Sequence, residues 1–259
     1  MSSEQVLGVV INWRRPGNLP AILQAMREQT VKMHVVILEC GIGPEFKLPA
    51  STLAMADTVI SISTNTGPIA RFLAPLAFPQ FKYTYFGVDD YIPGPKHVEW
   101  MLNTAKRLND EFATIGMDGR LIRDGKLLGG KGRMHDLHPT PIDVVTSSEL
   151  ALTRWLPHVA QYRAELLTGI GNDVSIFEDD LFLCLGAQMI ASKEFGRPIP
   201  SYLTPAPPTG DETWRARKLS APHALCGRPD HHDVRNHFIY RYQQTHGWNS
   251  KSEEIERNG

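Results

Sequence analysis

Apolar runs alternate with amphipathic segments along the first hundred residues. Residues 6–11, VLGVVI, have the length and β-branched content of a buried strand. Pro16 and Gly17 break the run. Leu19, Ile22, Leu23 and Met26 then recur at helical spacing, with Asn18 ahead of them and Pro20 in the first turn, which predicts a helix over LPAILQAMREQ. Strands are predicted at 34–39 and 57–62, a helix over 67–78 begun at the Asn65-Thr66-Gly67 turn, a strand at 82–88 and a helix at 96–108. Such alternation predicts an α/β fold with helices packed on a parallel sheet.

The second half has a different rhythm. Strands are expected at 112–116 and 120–123, joined by a Met117-Asp118-Gly119 turn. Residues 124–140 are rich in Gly, Lys, Arg and His, and the GGKGR run at 129–133 reads either as a lid over a site or as an exposed hairpin. A strand at 142–147, a helix at 148–157 and an amphipathic helix at 178–195 follow. Residues 198–222 are Pro-rich and irregular, and the polar tail from Lys251 is expected to fray.

Composition narrows the classes. With 259 residues, 42% hydrophobic and 21% charged, the chain is an ordinary globular protein with room for a sizeable core. No window approaches the roughly 18 apolar residues of a membrane span. The N-terminus reads as a first strand, not a signal peptide. The net charge of −1 does not advertise a nucleic-acid partner and leaves only local patches, Arg14 with Arg15 and the cluster from Arg215 to Lys218. Cys40, Cys184 and Cys226 are widely spaced and form no metal or disulfide pattern, which points to reducing cytosol.

The stretch YTYFGVDDYIPGP, 83–95, runs an apolar strand straight into Asp89 and Asp90. Open parallel sheets bind ligands beyond the carboxyl ends of their strands, and paired carboxylates there suit a hard divalent cation, Mn2+ or Mg2+. The bland alternative is a turn that opens a loop. A second acidic run, Glu178-Asp179-Asp180, opens the 178–195 helix, where the helix dipole alone would favour it. Three acids exceed capping needs, and an Asp there suits proton abstraction from a hydroxyl. STNTGPIARF, 63–72, offers Asn65 and Arg71 at a glycine turn suited to phosphate, or an ordinary turn with a surface arginine. Residues 222–238 crowd His223, His231, His232 and His237 with Arg228 and Arg235, candidates to complete a metal shell and to neutralise phosphate.

In this order the motifs resemble the GT-A glycosyltransferases over most of residues 6–195. VVINWRRPGNLPAILQAMREQT looks like that fold's opening strand, turn and helix. FGVDD looks like its Asp-x-Asp signature, with Val88 departing from the first Asp, and FEDDL like the acidic motif of its acceptor-side helix. The resemblance implies a Rossmann-like, mixed and mainly parallel sheet with helices on both faces. It implies a catalytic domain over 1–205, divided near 95 into nucleotide-sugar and acceptor halves, with 206–259 completing the site. Asn12, Arg14, Arg15, Asn65, Arg71, Asp89 and Arg235 would contact a nucleotide sugar, a UDP-sugar first. Asp90 would hold the cation with His232, chosen for its place beside Asp233, with Asp89, His223 and His231 in reserve. Asp179 would be the general base if the reaction inverts, Asp180 would hold the acceptor hydroxyl, and Glu178 would stand beside them. NTGPIARFLAP and VDDYIPGP are also similar to phage-type enzymes that glycosylate hydroxymethylated pyrimidines in DNA. A cytoplasmic enzyme, in the host cytoplasm if viral, without a membrane anchor is implied. The rivals are a nucleotidyltransferase, whose Gly- and Lys-rich phosphate loop is missing, and a non-catalytic nucleic-acid or carbohydrate-binding module, which leaves two acidic clusters unexplained.

Overall fold

A computed structural model describes residues 6–41, 43–64, 67–128, 138–161, 179–205, 207, 211–213, 215–219 and 229–253. The first half forms β1 (Val6–Asn12), α1 (Leu19–Arg27), β2 (Met33–Cys40), the one-turn α2 (Ala50–Leu53), β3 (Thr58–Ile62), β4 (Tyr83–Gly87), β5 (Tyr91–Ile92) and α3 (His97–Arg107). The second half is built from shorter strands: β6 (Thr114–Gly116), β7 (Asp118–Arg120), β8 (Ile122–Arg123), β9 (Lys126–Leu127), β10 (Thr140–Ile142), β11 (Val144–Thr146) and β12 (Glu149–Leu152). After them come α4 (Asp179–Phe195), β13 (Ser201–Leu203), β14 (Arg217–Lys218) and α5 (His231–His246).

Among the described residues the main sheet has eight strands in the order β10-β13-β6-β12-β4-β1-β2-β3. β4, β1, β2 and β3 run parallel, β12 lies antiparallel between β4 and β6, and β13 returns parallel to β6. The result is a mixed, mainly parallel sheet flanked by helices on both faces, the Rossmann-like arrangement expected. Every residue of β1 is buried, so both of its faces are covered. On one face Gly8 leaves room for Met26 of α1; a Cβ there would lie 2.7 Å from its Cε. On the other face Phe86 meets the edge of Phe72 at 5.0 Å.

The departures from expectation have physical causes. The 67–78 segment is two 3-10 turns, Pro68–Phe72 and Ala74–Ala77, because Pro75 has no N–H to continue an α-helix. The helix expected at 148–157 is strand β12, then a 3-10 turn at Thr153–Trp155, and is α-helical only from residue 156 onward. All four β12 residues are buried between β4 and β6, and that pairing overrides their helix preference. The Met117-Asp118-Gly119 turn is not a hairpin tip; Asp118 and Gly119 lie in β7, paired with β11. α4 is buried at every position from Leu181 to Gln188, a core helix rather than an amphipathic one. The Pro-rich 198–222 stretch contributes β13 to the main sheet and β14 to a ribbon with β5. The run expected as a lid or hairpin at 129–133 lies outside the described residues.

These connections bring several chain ends to one place. β1 ends at Asn12, β4 ends at Gly87, and antiparallel β12 begins at Glu149 opposite Phe86. The N-termini of α4 and α5 reach the same region. α5 is held there by Phe238 and Tyr242, which pack on Phe182 of α4. No helix among the described residues is long and apolar enough to cross a membrane.

Candidate functional site

A cleft of about 370 Å³ opens beyond the carboxyl ends of β1 and β4, the place where an open α/β sheet takes ligands. Asp89 and Asp90 enter it directly after β4. Arg15, in the turn between β1 and α1, places Nη1 2.5 Å from Asp89 Oδ1 and 4.0 Å from Asp90 Oδ2. Asn18 Nδ2 donates to the Asp89 carbonyl at 2.9 Å, fixing that turn to the strand end. Burial pushes the Asp89 carboxyl up to about 6 despite Arg15, and Asp90 adds to the rise. The 211–219 segment straps this corner: Leu219 N–H donates to the Asp90 carbonyl at 2.7 Å and Lys96 N–H to that of Thr213 at 2.9 Å. Gly94 is needed under the strap, since a Cβ there would lie 2.5 Å from the Thr213 carbonyl oxygen.

A second group enters from the helix starts. Asp179 and Asp180 open α4, and Arg235 lies in the second turn of α5. Arg71 Nη2 sits 2.7 Å from Asp179 Oδ2 and 2.9 Å from Glu149 Oε2. Arg235 Nη2 sits 2.9 Å from Asp180 Oδ2. Burial raises Asp179, and Arg71 only partly offsets it. Burial presses Asp180 upward too, but Arg235, the Leu181 N–H and Arg71 together hold it below the usual carboxylate range. Two neighbouring acids thus have their proton affinities driven apart, the usual arrangement for dividing catalytic roles. Burial disfavours the charge on Arg71, but Asp179 and Glu149 outweigh it and keep the guanidinium protonated. Burial, with Arg235 and His232 beside it, lowers His231.

Arg120, Lys218 and His231 also line the cleft, and neither Arg120 nor Lys218 has an ion-pair partner among the described residues. Two non-glycine residues with positive φ flank it, Arg14 (φ 83°) and Ser147 (φ 78°). Such backbone gathers where a site dictates the geometry.

The expected site residues are therefore distributed as follows. Arg15, Arg71, Asp89, Asp90, Asp179, Asp180, His231 and Arg235 share the one cleft. Asn12 is buried at the end of β1, where its Nδ2 donates to the Phe46 carbonyl and its Oδ1 has no partner among the described residues. Arg14 lays its guanidinium 4.8 Å over the ring of Trp13, which lines the cleft. His232 is not among the lining residues; its ring packs 5.5 Å from that of His231. Asn65, Glu178 and His223 lie outside the described residues. Among the described residues no three His, Cys, Asp or Glu side chains form a ready metal cage. Sequence reasoning missed Glu149 and Arg120, and named Lys218 only as part of a basic patch. Glu149 carries one signal in hindsight, a lone acid in the apolar run ELAL.

No protein-family model matches the chain, and no curated protein matches it. Among solved structures the chain is similar to residues 1–349 of TarS from S. aureus in complex with UDP, at 12% identity and a TM-score of 0.47, over 78% of this chain and 58% of that one. It is similar to the same protein in complex with UDP-GlcNAc, at 13% identity and 0.47, over 89% and 64%. It is also similar to the mannosyltransferase PcManGT from Pyrobaculum calidifontis in complex with GDP-Man and Mn2+, at 14% identity and 0.46, over 81% and 59%. The chain spans less than two thirds of the length of each.

Proposed function

We propose that the chain is a glycosyltransferase that moves a sugar from a nucleotide-sugar donor, a UDP-sugar first, to a hydroxyl acceptor. The observation that carries this reading is the meeting of two acid–arginine groups in one cleft at the strand ends. One group suits the donor and the other the acceptor. Arg15, Arg120 and Lys218 supply positive charge for a diphosphate leaving group. Asp179 accepts the acceptor's hydroxyl proton as the new C–O bond forms and the sugar–phosphate bond breaks, releasing the nucleoside diphosphate. Asp180, held by Arg235, orients the acceptor. The 206–259 extension completes the site, a role supported by Lys218, His231 and Arg235.

A divalent cation suits Asp90, which stands 4.0 Å from Arg15 Nη1, better than Asp89, which Arg15 already holds. One carboxylate is a partial shell, so the remaining oxygens would come from diphosphate and water. Bound there, Mn2+ or Mg2+ would supply charge stabilisation to the departing diphosphate.

The proposed acceptor is a hydroxymethylated pyrimidine in DNA, which is supported by the exposed Arg217 next to the cleft residue Lys218. Its affinity should then fall steeply with salt.

A thermal-shift series with nucleotide sugars, each with and without Mn2+, tests the donor, because a ligand of the native state raises the melting temperature by mass action. Release of nucleoside diphosphate should accompany it. Asp90→Asn should abolish the Mn2+-dependent part of both signals while the fold persists. Turnover of a nucleoside triphosphate with no response to nucleotide sugars would establish the nucleotidyltransferase instead.

A further inference from the structure

Behind the acceptor-side acids stands a residue the mechanism above does not use. Glu149 opens β12, in the centre of the sheet, and is fully buried. Its Oε2 accepts a hydrogen bond from Arg71 Nη2 at 2.9 Å, and its Oε1 has no partner among the described residues. Arg71 is nearly as buried, lies against the rings of Phe72 and Phe86, and leaves its Nε equally unpartnered. The same Nη2 touches Asp179 at 2.7 Å. One guanidinium nitrogen therefore sits between a sealed carboxyl and one whose side chain is 17% exposed to the cleft.

Charge counting decides the state of this group. Among the described residues Glu149, Asp179 and Asp180 take their ion pairs from Arg71 and Arg235, and His231, which burial lowers, lies in the field of Asp180. Among the described residues Cys184 of α4 also faces Glu149; it is buried and shifted towards its neutral form. Fully ionised, the cluster carries one uncompensated negative charge away from water, which is costly. A single proton makes it neutral. Asp180 is occupied by Arg235 and Asp179 is partly exposed, whereas Glu149 is sealed from solvent and its Oε1 has no partner among the described residues.

We propose that Glu149 is a positioning residue for the acceptor-side base: it carries the cluster's proton and, through Arg71, keeps Asp179 ionised and in place. This rests on the reading of Asp179 as base. During transfer the acceptor's proton goes to Asp179, and Glu149 keeps its own. Burial, only partly opposed by Arg71, pushes Glu149 up to about 8, which keeps it protonated at neutral pH. Above that, its ionisation returns the excess negative charge, draws Arg71 away from Asp179 and slows transfer.

Infrared difference spectra across pH 6 to 10 test the proton directly, on the intact protein and without substrate. The wild type should lose a protonated-carboxyl band near pH 8, Asp179→Asn should move that transition to lower pH because it removes the excess acid, and Glu149→Gln should lack it. The pH–rate profile tests the positioning. Wild-type kcat should fall on the alkaline side near pH 8, and Glu149→Gln should lose that limb. Glu149→Ala should lose roughly 10²-fold in kcat at unchanged donor KM, as expected for a misplaced base, and Gln should recover part of it. Melting curves taken alongside identify variants that merely unfold. An unchanged infrared transition in Glu149→Gln, or the same alkaline limb, overturns the proposal. A wild type that transfers no sugar overturns the transferase reading and the positioning role with it, whereas the infrared band reports on the proton alone.

Discussion

Asp143 and Glu149 are close in sequence, and both are completely buried, yet their surroundings are opposite. Asp143 is saturated with donors. The Ile122 N–H lies at 2.8 Å, Ser252 Oγ at 2.8 Å and Ser250 Oγ at 2.9 Å, with Arg123 Nη1 at 3.4 Å. Its own carbonyl accepts from Gln188 Nε2 at 2.5 Å. This carboxylate pins the segment after α5 to the second half of the sheet. Among the described residues Glu149 has a single guanidinium and one oxygen without a partner, just under the cleft. A buried acid that the fold uses as a joint has its lone pairs filled by fixed neighbours. An acid left short of partners beside a cleft stores a proton affinity far from the ordinary one, which is the property chemistry needs.

The comparison breaks first, and hardest, on turnover. Asp179→Asn removes the base but keeps a side chain of the same shape. It should lower transfer by roughly 10²–10⁴-fold while donor affinity, read by thermal shift, stays near wild type. Asparagine also caps helices well, so a mere capping role predicts near-normal kinetics and an unchanged melting temperature. On the joint side the loss should appear in stability instead. Asp143→Ala strands the Ile122 N–H and both serine hydroxyls and breaks the contact with Arg123, and should cost about 3 kcal/mol in urea unfolding. Well below its melting temperature the variant should still bind donor. If Asp143→Ala abolishes donor binding in a folded protein, the two acids do not divide labour in this way.

The sequence exposed the two halves of this contrast unequally. The parallel half was legible because β1, α1, β2 and β4 each carry a clean apolar period bounded by Pro, Gly or Asp. Asp89 with Asp90 and Asp179 with Asp180 stood out because adjacent acids interrupt those periods, and the structure brings both pairs to one cleft. The second half uses strands of two to four residues, too short for any period to declare itself. Helix α5 was hidden behind its histidines and arginines; it buries only Arg235, Phe238, Ile239 and Tyr242. Glu149 was invisible for a different reason. Its role depends on Arg71, distant in sequence, and on antiparallel pairing that places Glu149 beside Phe86 at the mouth of the parallel half. No local pattern encodes that meeting.

The smallest expected effect is also the one that discriminates most finely, because it applies the same chemical change at both acids. Asp143→Asn puts an NH2 donor where the Ile122 N–H and the hydroxyls of Ser250 and Ser252 require an acceptor, so it should destabilise across the whole pH range. Glu149→Gln should behave with the opposite sign at high pH. Burial first, against the partial relief of Arg71, raises the native Glu149 to about 8 from an ordinary value near 4.5. Between those values the folded chain holds a proton that the unfolded chain has released. The resulting contribution to stability is fully present below about pH 4.5 and is lost as pH rises through about 8. Glutamine has no proton to lose. It should match the wild type in acid, show a flatter profile above, and exceed the wild type beyond pH 8. Arg71 retains Asp179 as a charged partner in the variant, so its guanidinium is not stranded. Urea unfolding of both variants at pH 5, 7 and 9 reads the difference. A Glu149→Gln protein that loses as much stability at pH 9 as Asp143→Asn would make Glu149 a second structural joint, ionised and paired with Arg71, rather than an acid kept protonated beside the cleft.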